Sequence, residues 1–120
     1  MSLQLSNTLL EVETREDVLI ARFTREVSLC AEVAEAASER LASLLSKPGR
    51  QRLLVDFGNV KTLTSFMLGQ LVKLHHVAEA AGRRLALFNL SHYVRQVLEV
   101  ARLDLLLSLY DDESAALRGS

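Results

Sequence analysis

Alternating and continuous apolar segments at the start of the chain predict a β-hairpin followed by a helix. Residues 9–12 alternate, residues 15–17 are charged, and residues 18–23 form a mostly apolar run. This pattern is typical of two antiparallel strands, of which the second is more buried. We expect a helix next, because Ser28 is a suitable N-cap and apolar residues then recur three and four positions apart. Pro and Gly within residues 47–50 predict its end.

From residue 53 onward, strand and helix patterns alternate. Short apolar segments at 53–57, 85–88 and 106–110 predict strands. Helices are predicted from Ser65, after an N-cap at Ser91, and from residues 111–113, where three acidic side chains stand together. The order ββαβαβαβα predicts parallel β-α-β links. We therefore expect a single α/β domain over residues 1–120, with a mixed, mostly parallel sheet of about five strands, an N-terminal β-hairpin and about four helices.

Composition narrows the class of protein. The chain has 120 residues, a net charge of −1 and 49% apolar residues, which suits one folded domain and gives no strong field for nucleic acid or anionic lipid. It has one cysteine, Cys30, which excludes an intrachain disulfide and which we expect to be buried. The sequence shows no signal peptide and no apolar segment of membrane-spanning length. We expect a cytoplasmic protein without membrane insertion.

Patterns of catalytic or metal-binding chemistry are weak throughout. The chain lacks a Gly-x-Gly-x-x-Gly motif, a Walker-type phosphate loop and a Gly-x-Ser-x-Gly nucleophile motif. The adjacent His75 and His76 are expected to point apart on their helix, which argues against a two-ligand metal pair, and His92 stands alone. We expect no enzyme activity, no cofactor and no metal.

The most informative stretch is the predicted strand, turn and helix at residues 53–74. Asp56 ends the strand, where its carboxylate either stabilises the next loop by accepting from backbone N–H groups or coordinates the cation of a phosphoryl donor. Thr64 and Ser65 open the helix, either as an ordinary N-cap or as phosphorylation sites near the positive end of the helix dipole. Of the next two residues, Phe66 and Met67, one is expected to be exposed for a protein interface. Loops at 58–64 and 89–90 follow strand ends, where partner sites in α/β sheets tend to lie.

Several segments together resemble the STAS domain family, typified by bacterial anti-sigma factor antagonists. The resemblance runs from about Leu9 to Leu117. The segments that carry it are LLVDF (53–57) with Asn59, LTS (63–65), GRRLALFN (82–89), VRQVLE (94–99) and YDD (110–112). The family's usual Asp-Ser-Ser-Gly-Leu-Gly at the helix start is Thr-Ser-Phe-Met-Leu-Gly here, at residues 64–69. The resemblance supports Ser65 as the phospho-acceptor, since a Ser-Phe pair resembles the stressosome scaffold branch. Ser28 stands where antagonists carry an acidic or Asn residue.

The resemblance implies a protein-interaction module of bacterial signalling. Its protein partner would be an anti-sigma factor that is also a serine kinase, or another protein of a STAS pathway; self-association into a homodimer stays open. The expected switch is phosphorylation of Ser65, with Thr64 as the second candidate. The expected partner-binding surface comprises Ser28, Asp56, Asn59, Thr64, Ser65, Phe66 and Met67. The alternatives are a constitutive scaffold without phosphorylation, and a ligand-sensing or accessory subunit of a transporter.

Overall fold

A computed structural model describes residues 9–15, 17–48 and 52–119. Within these residues, the strands are β1 (Leu10–Arg15), β2 (Val18–Phe23), β3 (Val27–Leu29), β4 (Arg52–Asp56), β5 (Val60–Leu63), β6 (Arg84–Phe88) and β7 (Ser108–Tyr110). The α-helices are α1 (Ala31–Leu45), α2 (Ser65–Ala80), α3 (His92–Val100) and α4 (Glu113–Arg118), and a short 3-10 helix covers Leu103–Leu105.

The main sheet confirms the predicted architecture. Its strand order is β1-β2-β4-β6-β7. The hairpin partners β1 and β2 are antiparallel, and the β2–β4, β4–β6 and β6–β7 pairs are parallel. The β2–β4 and β4–β6 pairs place the carboxyl ends of these three strands side by side at one end of the sheet, because their registers align Arg22 with Asp56 and Asp56 with Phe88.

The central strands of the sheet, β2, β4 and β6, are buried on both faces, as their continuous apolar segments predict. Leu53 and Val55 of β4 join a large core with residues of α1, α2 and α3. Leu54, between them, belongs to a smaller cluster with Ile20, Phe88 and Ala116 of α4. Successive strand residues point to opposite faces, so α1–α3 cover one face and the terminal helix covers part of the other.

A separate two-stranded sheet was not predicted. β3 and β5 pair in parallel, with Ser28 opposite Thr62 and Leu29 opposite Leu63. The expected N-cap at Ser28 is therefore wrong: Ser28 lies in β3, and α1 begins at Ala31 with Cys30 as its N-cap. The expected loop at 58–64 is also wrong over Val60–Leu63, which is β5. Strands this short carry little pattern of their own, and they are held by pairing with each other.

Two smaller expectations differ from the structure, those for Cys30 and for the last strand. Cys30 is exposed rather than buried, because it occupies the N-cap of α1 outside the helix's apolar face. The last strand is shorter than 106–110, since it begins only at Ser108 after the 3-10 helix. Residue 16 of the predicted hairpin turn, residues 49–50 of the predicted helix stop and residues 1–8 of the expected domain lie outside the described residues.

Candidate partner-binding site at the start of helix α2

Asp56 organises the carboxyl edge of the sheet. One carboxylate oxygen, Oδ1, accepts hydrogen bonds from the backbone N–H of Gly58 at 2.8 Å and from Nδ2 of Asn89 at 3.1 Å. A Cβ at Gly58 would stand only 3.0 Å from that same oxygen, so this turn has little room for a side chain. Asn89 has a φ of 60°, a left-handed conformation that asparagine tolerates better than most residues. Asp56 thus joins the loops after β4 and β6, which is the loop-stabilising role.

The second oxygen of Asp56 belongs to a cluster of charges around Arg22. Nη1 of Arg22 lies 3.1 Å from Oδ2 of Asp56 and 3.0 Å from Oε1 of Glu113, and Nη2 lies 2.9 Å from Oε1 of Glu13. Arg15 adds a bond of 2.8 Å to Glu13. Hydrogen bonding to these carboxylates, first to Glu113, raises the pKa of Arg22 above its usual value. Hydrogen bonds from Arg22 and then Arg15 lower the pKa of Glu13.

This charge cluster explains why Asp56 is a poor candidate for direct partner contact. Its side chain is only 18% exposed, and both of its oxygens already accept hydrogen bonds within the chain. Its contribution to the expected surface is to hold the loop in place. The cluster also connects that loop to α4, because Glu113 stands in the first turn of that helix.

Asn59 ties the same loop to the end of β2. Its Nδ2 donates to the carbonyl of Phe23 at 2.9 Å, and its own carbonyl accepts from the N–H of Val27 at 2.8 Å. Asn59 is nevertheless an exposed residue. The turn before β5 is therefore fixed at both sides while still presenting surface to solvent.

The two hydroxyl residues at the start of α2 differ in their environment. Thr64 holds the N-cap position, yet its hydroxyl makes no capping bond and donates instead to the carbonyl of Leu29 at 3.1 Å. Its backbone N–H reaches the same carbonyl at 3.3 Å. Ser65 is the first residue of the helix and is exposed. The first turn of a helix has unpaired N–H groups and a partial positive charge, so Ser65 stands where added negative charge is favourable.

Phe66 and Met67 differ clearly in their exposure to solvent. Phe66 is 42% exposed, whereas Met67 is fully buried in the main core. The expectation that Met67 contributes to the partner surface is therefore wrong, because at this point the helix directs Met67 inward against the sheet. Phe66 is the residue of the pair that a partner could contact.

The structure brings most of the remaining expected residues to one region. Ser28 is exposed on β3, which pairs with β5, and Thr64 follows β5 and bonds to Leu29. Ser28, Thr64 and Ser65 are thus linked through the short β3–β5 sheet.

An apolar cleft next to α2 was missed from the sequence. It has a volume of about 540 Å³ and is lined mainly by Leu68 of α2 and by Tyr93, Val97 and Val100 of α3. Tyr93 is 52% exposed and Val100 is 85% exposed. Tyr93 and Val100 lie outside the apolar stripe of α3 that packs on the core. Large apolar residues outside that stripe were the sign of an exposed apolar surface that the sequence offered.

Residues that could hold a metal lie elsewhere. Among the described residues, His75, His76 and Glu79 in the second half of α2 form a group of potential ligands. The expectation that the two imidazoles point apart is wrong, since their ring centroids are 5.3 Å apart.

None of the helices in the described part of the chain is long and apolar enough to cross a membrane.

Known proteins resemble this chain over nearly its whole length. A protein from Thermotoga neapolitana, named as an anti-sigma factor antagonist homologue, is 28% identical over 102 residues, covering 85% of this chain and 88% of its own. The crystal structure of a Thermotoga maritima protein with the same designation superposes with a TM-score of 0.80 at 23% identity, covering 94% of this chain and 95% of the other. Such a likeness shows the fold.

The Bacillus cell fate determinant SpoIIAA, solved in its phosphorylated form, has the same fold. The TM-score is 0.67 at 17% identity, and the similarity covers 92% of this chain and 99% of SpoIIAA. The model of the STAS domain family matches residues 10–116, which include every element described above except the last part of α4. The chain belongs to the STAS domain family.

Proposed function

We propose that this chain is a non-enzymatic, cytoplasmic interaction module of bacterial signalling. It regulates transcription by binding an anti-sigma factor that is also a serine kinase, and phosphorylation of Ser65 releases that partner. The observation that carries the proposal is the pair of exposed residues Ser65 and Phe66 at the start of α2, which follows the short strand β5. The relatives named as anti-sigma factor antagonists support the same class of function.

The choice of Ser65 over Thr64 rests on their hydroxyl groups. The Thr64 hydroxyl donates to the carbonyl of Leu29, so a kinase would have to break that bond before transferring phosphate. Ser65 is exposed and carries no such bond among the described residues. Ser65 is therefore the more accessible acceptor.

The switch would act through charge at the interface rather than through unfolding. A phosphoryl group adds about −1.5 to −2 charges at pH 7, and the start of a helix tolerates this charge well. A partner that packs against the exposed ring of Phe66 would have to bury or oppose the same charge. We therefore expect phosphorylation to weaken binding while leaving the fold intact.

The rest of the expected surface is rigid enough to recognise a partner. Asp56 and Asn59 fix the turn before β5, and Thr64 is tied to β3. Preorganised loops lose little conformational entropy when a partner binds. Thr64, which stands at the family's usual Asp position, would thus act as a structural support of the acceptor site.

The test uses the anti-sigma factor kinases of the organism that encodes the chain. Each purified kinase is mixed with the wild-type chain, and binding and phosphate transfer from ATP are measured. We expect one kinase to bind and to phosphorylate Ser65. Ser65→Asp should weaken the binding of that kinase at least about tenfold, which corresponds to an unfavourable interaction of about 1.4 kcal/mol between the added charge and the partner.

A matched control separates the position of the charge from charge in general. Ser43→Asp adds the same charge on an exposed residue of α1, and we expect it to leave binding unchanged. The proposal is wrong if both variants weaken binding equally, or if none of the kinases binds the unphosphorylated chain.

A further inference from the structure

The second half of α2 carries a cluster of ligand-type side chains that the proposed partner surface does not use. One ligand atom from each of His75, His76 and Glu79 lies within 4.8 Å of the other two. Glu79 follows His75 by four positions and His76 by three, so both imidazoles lie one helical turn before the carboxylate. Two imidazoles and one carboxylate match a common set of protein ligands for zinc.

We propose that His75, His76 and Glu79 form a binding site for a divalent transition-metal ion of the zinc type. Zinc with bonds of about 2.0–2.2 Å needs its ligand atoms roughly 3.4 Å apart. The side chains of His76 and Glu79 must therefore move closer to His75 by rotation about their own bonds. The side chains of His76 and Glu79 are 64% and 69% exposed, so no packing opposes that rotation.

The present contact within the cluster is loose enough to be exchanged for a metal bond. Nδ1 of His76 lies 3.8 Å from Oε1 of Glu79, longer than an ordinary hydrogen bond. The two rings are tilted by 58° with their centroids 5.3 Å apart, so they are neither stacked flat nor directed away from each other. His75, which is half-buried, provides the fixed member of the three.

The position along the helix also favours a cation. α2 ends at Ala80, so the cluster lies in the last two turns, where the helix dipole places partial negative charge. Three protein ligands leave the fourth position of a tetrahedral zinc ion open to water or to a side chain from another molecule. Ser65 lies ten residues earlier, about 15 Å along the helix axis, so this site is separate from the proposed switch.

The experiment is zinc titration of the full chain, without an affinity tag and after removal of metals, followed by calorimetry. We expect one zinc ion per chain and a rise in the melting temperature with added zinc, since a ligand that binds the folded state stabilises it. His76→Ala and Glu79→Gln should each weaken zinc binding at least about tenfold. Both replaced residues are exposed, so the variants should fold, and circular dichroism checks this.

His92→Ala is the matched control, because His92 is the third histidine of the chain and is exposed at the start of α3. We expect it to bind zinc as the wild type does. Ser65→Asp should also bind zinc normally, which separates this test from that of the proposed switch. The inference is overturned if wild type binds no zinc, or if His92→Ala loses as much affinity as His76→Ala.

Discussion

Replacement of Arg22 by methionine tests whether the charge cluster holds the candidate site together. Arg22 hydrogen-bonds to Glu13, Asp56 and Glu113, and so connects β1, β4 and α4. Methionine keeps much of the apolar stem and removes the charge and the donors. The three carboxylates would then lie together, and Arg15 would still pair with Glu13 and Glu113.

The size of the effect follows from how exposed the cluster is. Exposed ion pairs contribute about 0–1 kcal/mol, whereas removing one member of a fully buried pair costs about 3–5 kcal/mol. The side chain of Arg22 is 28% exposed, and those of Asp56 and Glu113 are 18% and 29% exposed. The cluster lies between the two limits, so we expect Arg22→Met to lower the free energy of unfolding by about 2 kcal/mol.

Urea unfolding at pH 7 measures this difference, with Arg15→Met as the control. Arg15 belongs to the same cluster but is 48% exposed, and its contact to Glu113 is 3.5 Å. We expect Arg15→Met to cost less than about 1 kcal/mol, with the same urea dependence as wild type. Equal losses in the two variants, or an Arg22→Met protein as stable as wild type, would refute the reasoning. A chemical-shift change at the Gly58 amide in Arg22→Met would show that the effect reaches the loop through Asp56.

Three further predictions concern Glu13 of the charge cluster and the neighbouring residues Met67 and Phe66 of α2. The pKa of Glu13 is lowered from 4.5 in the folded chain, chiefly by Arg22, so its stabilising contribution is present above pH 4.5 and lost as the pH falls through the folded value. As the pH is lowered below 4.5, the free energy of unfolding should therefore fall less steeply in Arg22→Met than in wild type. Parallel curves for the two proteins would contradict this. Met67→Ala should cost about 2–5 kcal/mol in urea unfolding, because Met67 is fully buried. Phe66→Ala should lower the free energy of unfolding by less than about 1 kcal/mol and yet weaken partner binding. A larger loss of stability in Phe66→Ala than in Met67→Ala would show that the core and surface roles are wrongly assigned.

The main sheet was predictable because its signals are local and strong. The strand at 53–57 is apolar almost throughout, and the caps Ser91 and Asp112 accept hydrogen bonds from Val94 and Ala115 as their sequence positions suggest. Periodicity and capping depend on residues close together in the chain, so a single sequence contains them. The same reasoning identified Ser65 as a residue at the start of a helix.

The rest of the site depends on contacts between distant segments. β3 and β5 stabilise each other although some thirty residues separate them in the sequence. Because Ser28 is part of this pairing, α1 begins at Ala31 and not directly after Ser28 as predicted. The bond from Thr64 to Leu29 joins the same two segments. Met67 points inward because it shares a helical stripe with the buried residues 71, 74 and 78, a spacing that the sequence itself contains. The approach of the His75 and His76 rings depends on rotamers, which helix periodicity does not specify.

Mass spectrometry of the chain purified from its native cells, with any bound partner, tests the central claim most directly. Intact mass and peptide mapping of residues 60–74 would locate a phosphoryl group, and quantitative comparison would show which form carries the partner. The account predicts phosphate on Ser65 rather than Thr64, and an anti-sigma factor kinase bound to the unphosphorylated form alone. A partner that stays bound equally to phosphorylated and unphosphorylated chains, or a chain that remains unphosphorylated while the partner is gained and lost, would contradict it.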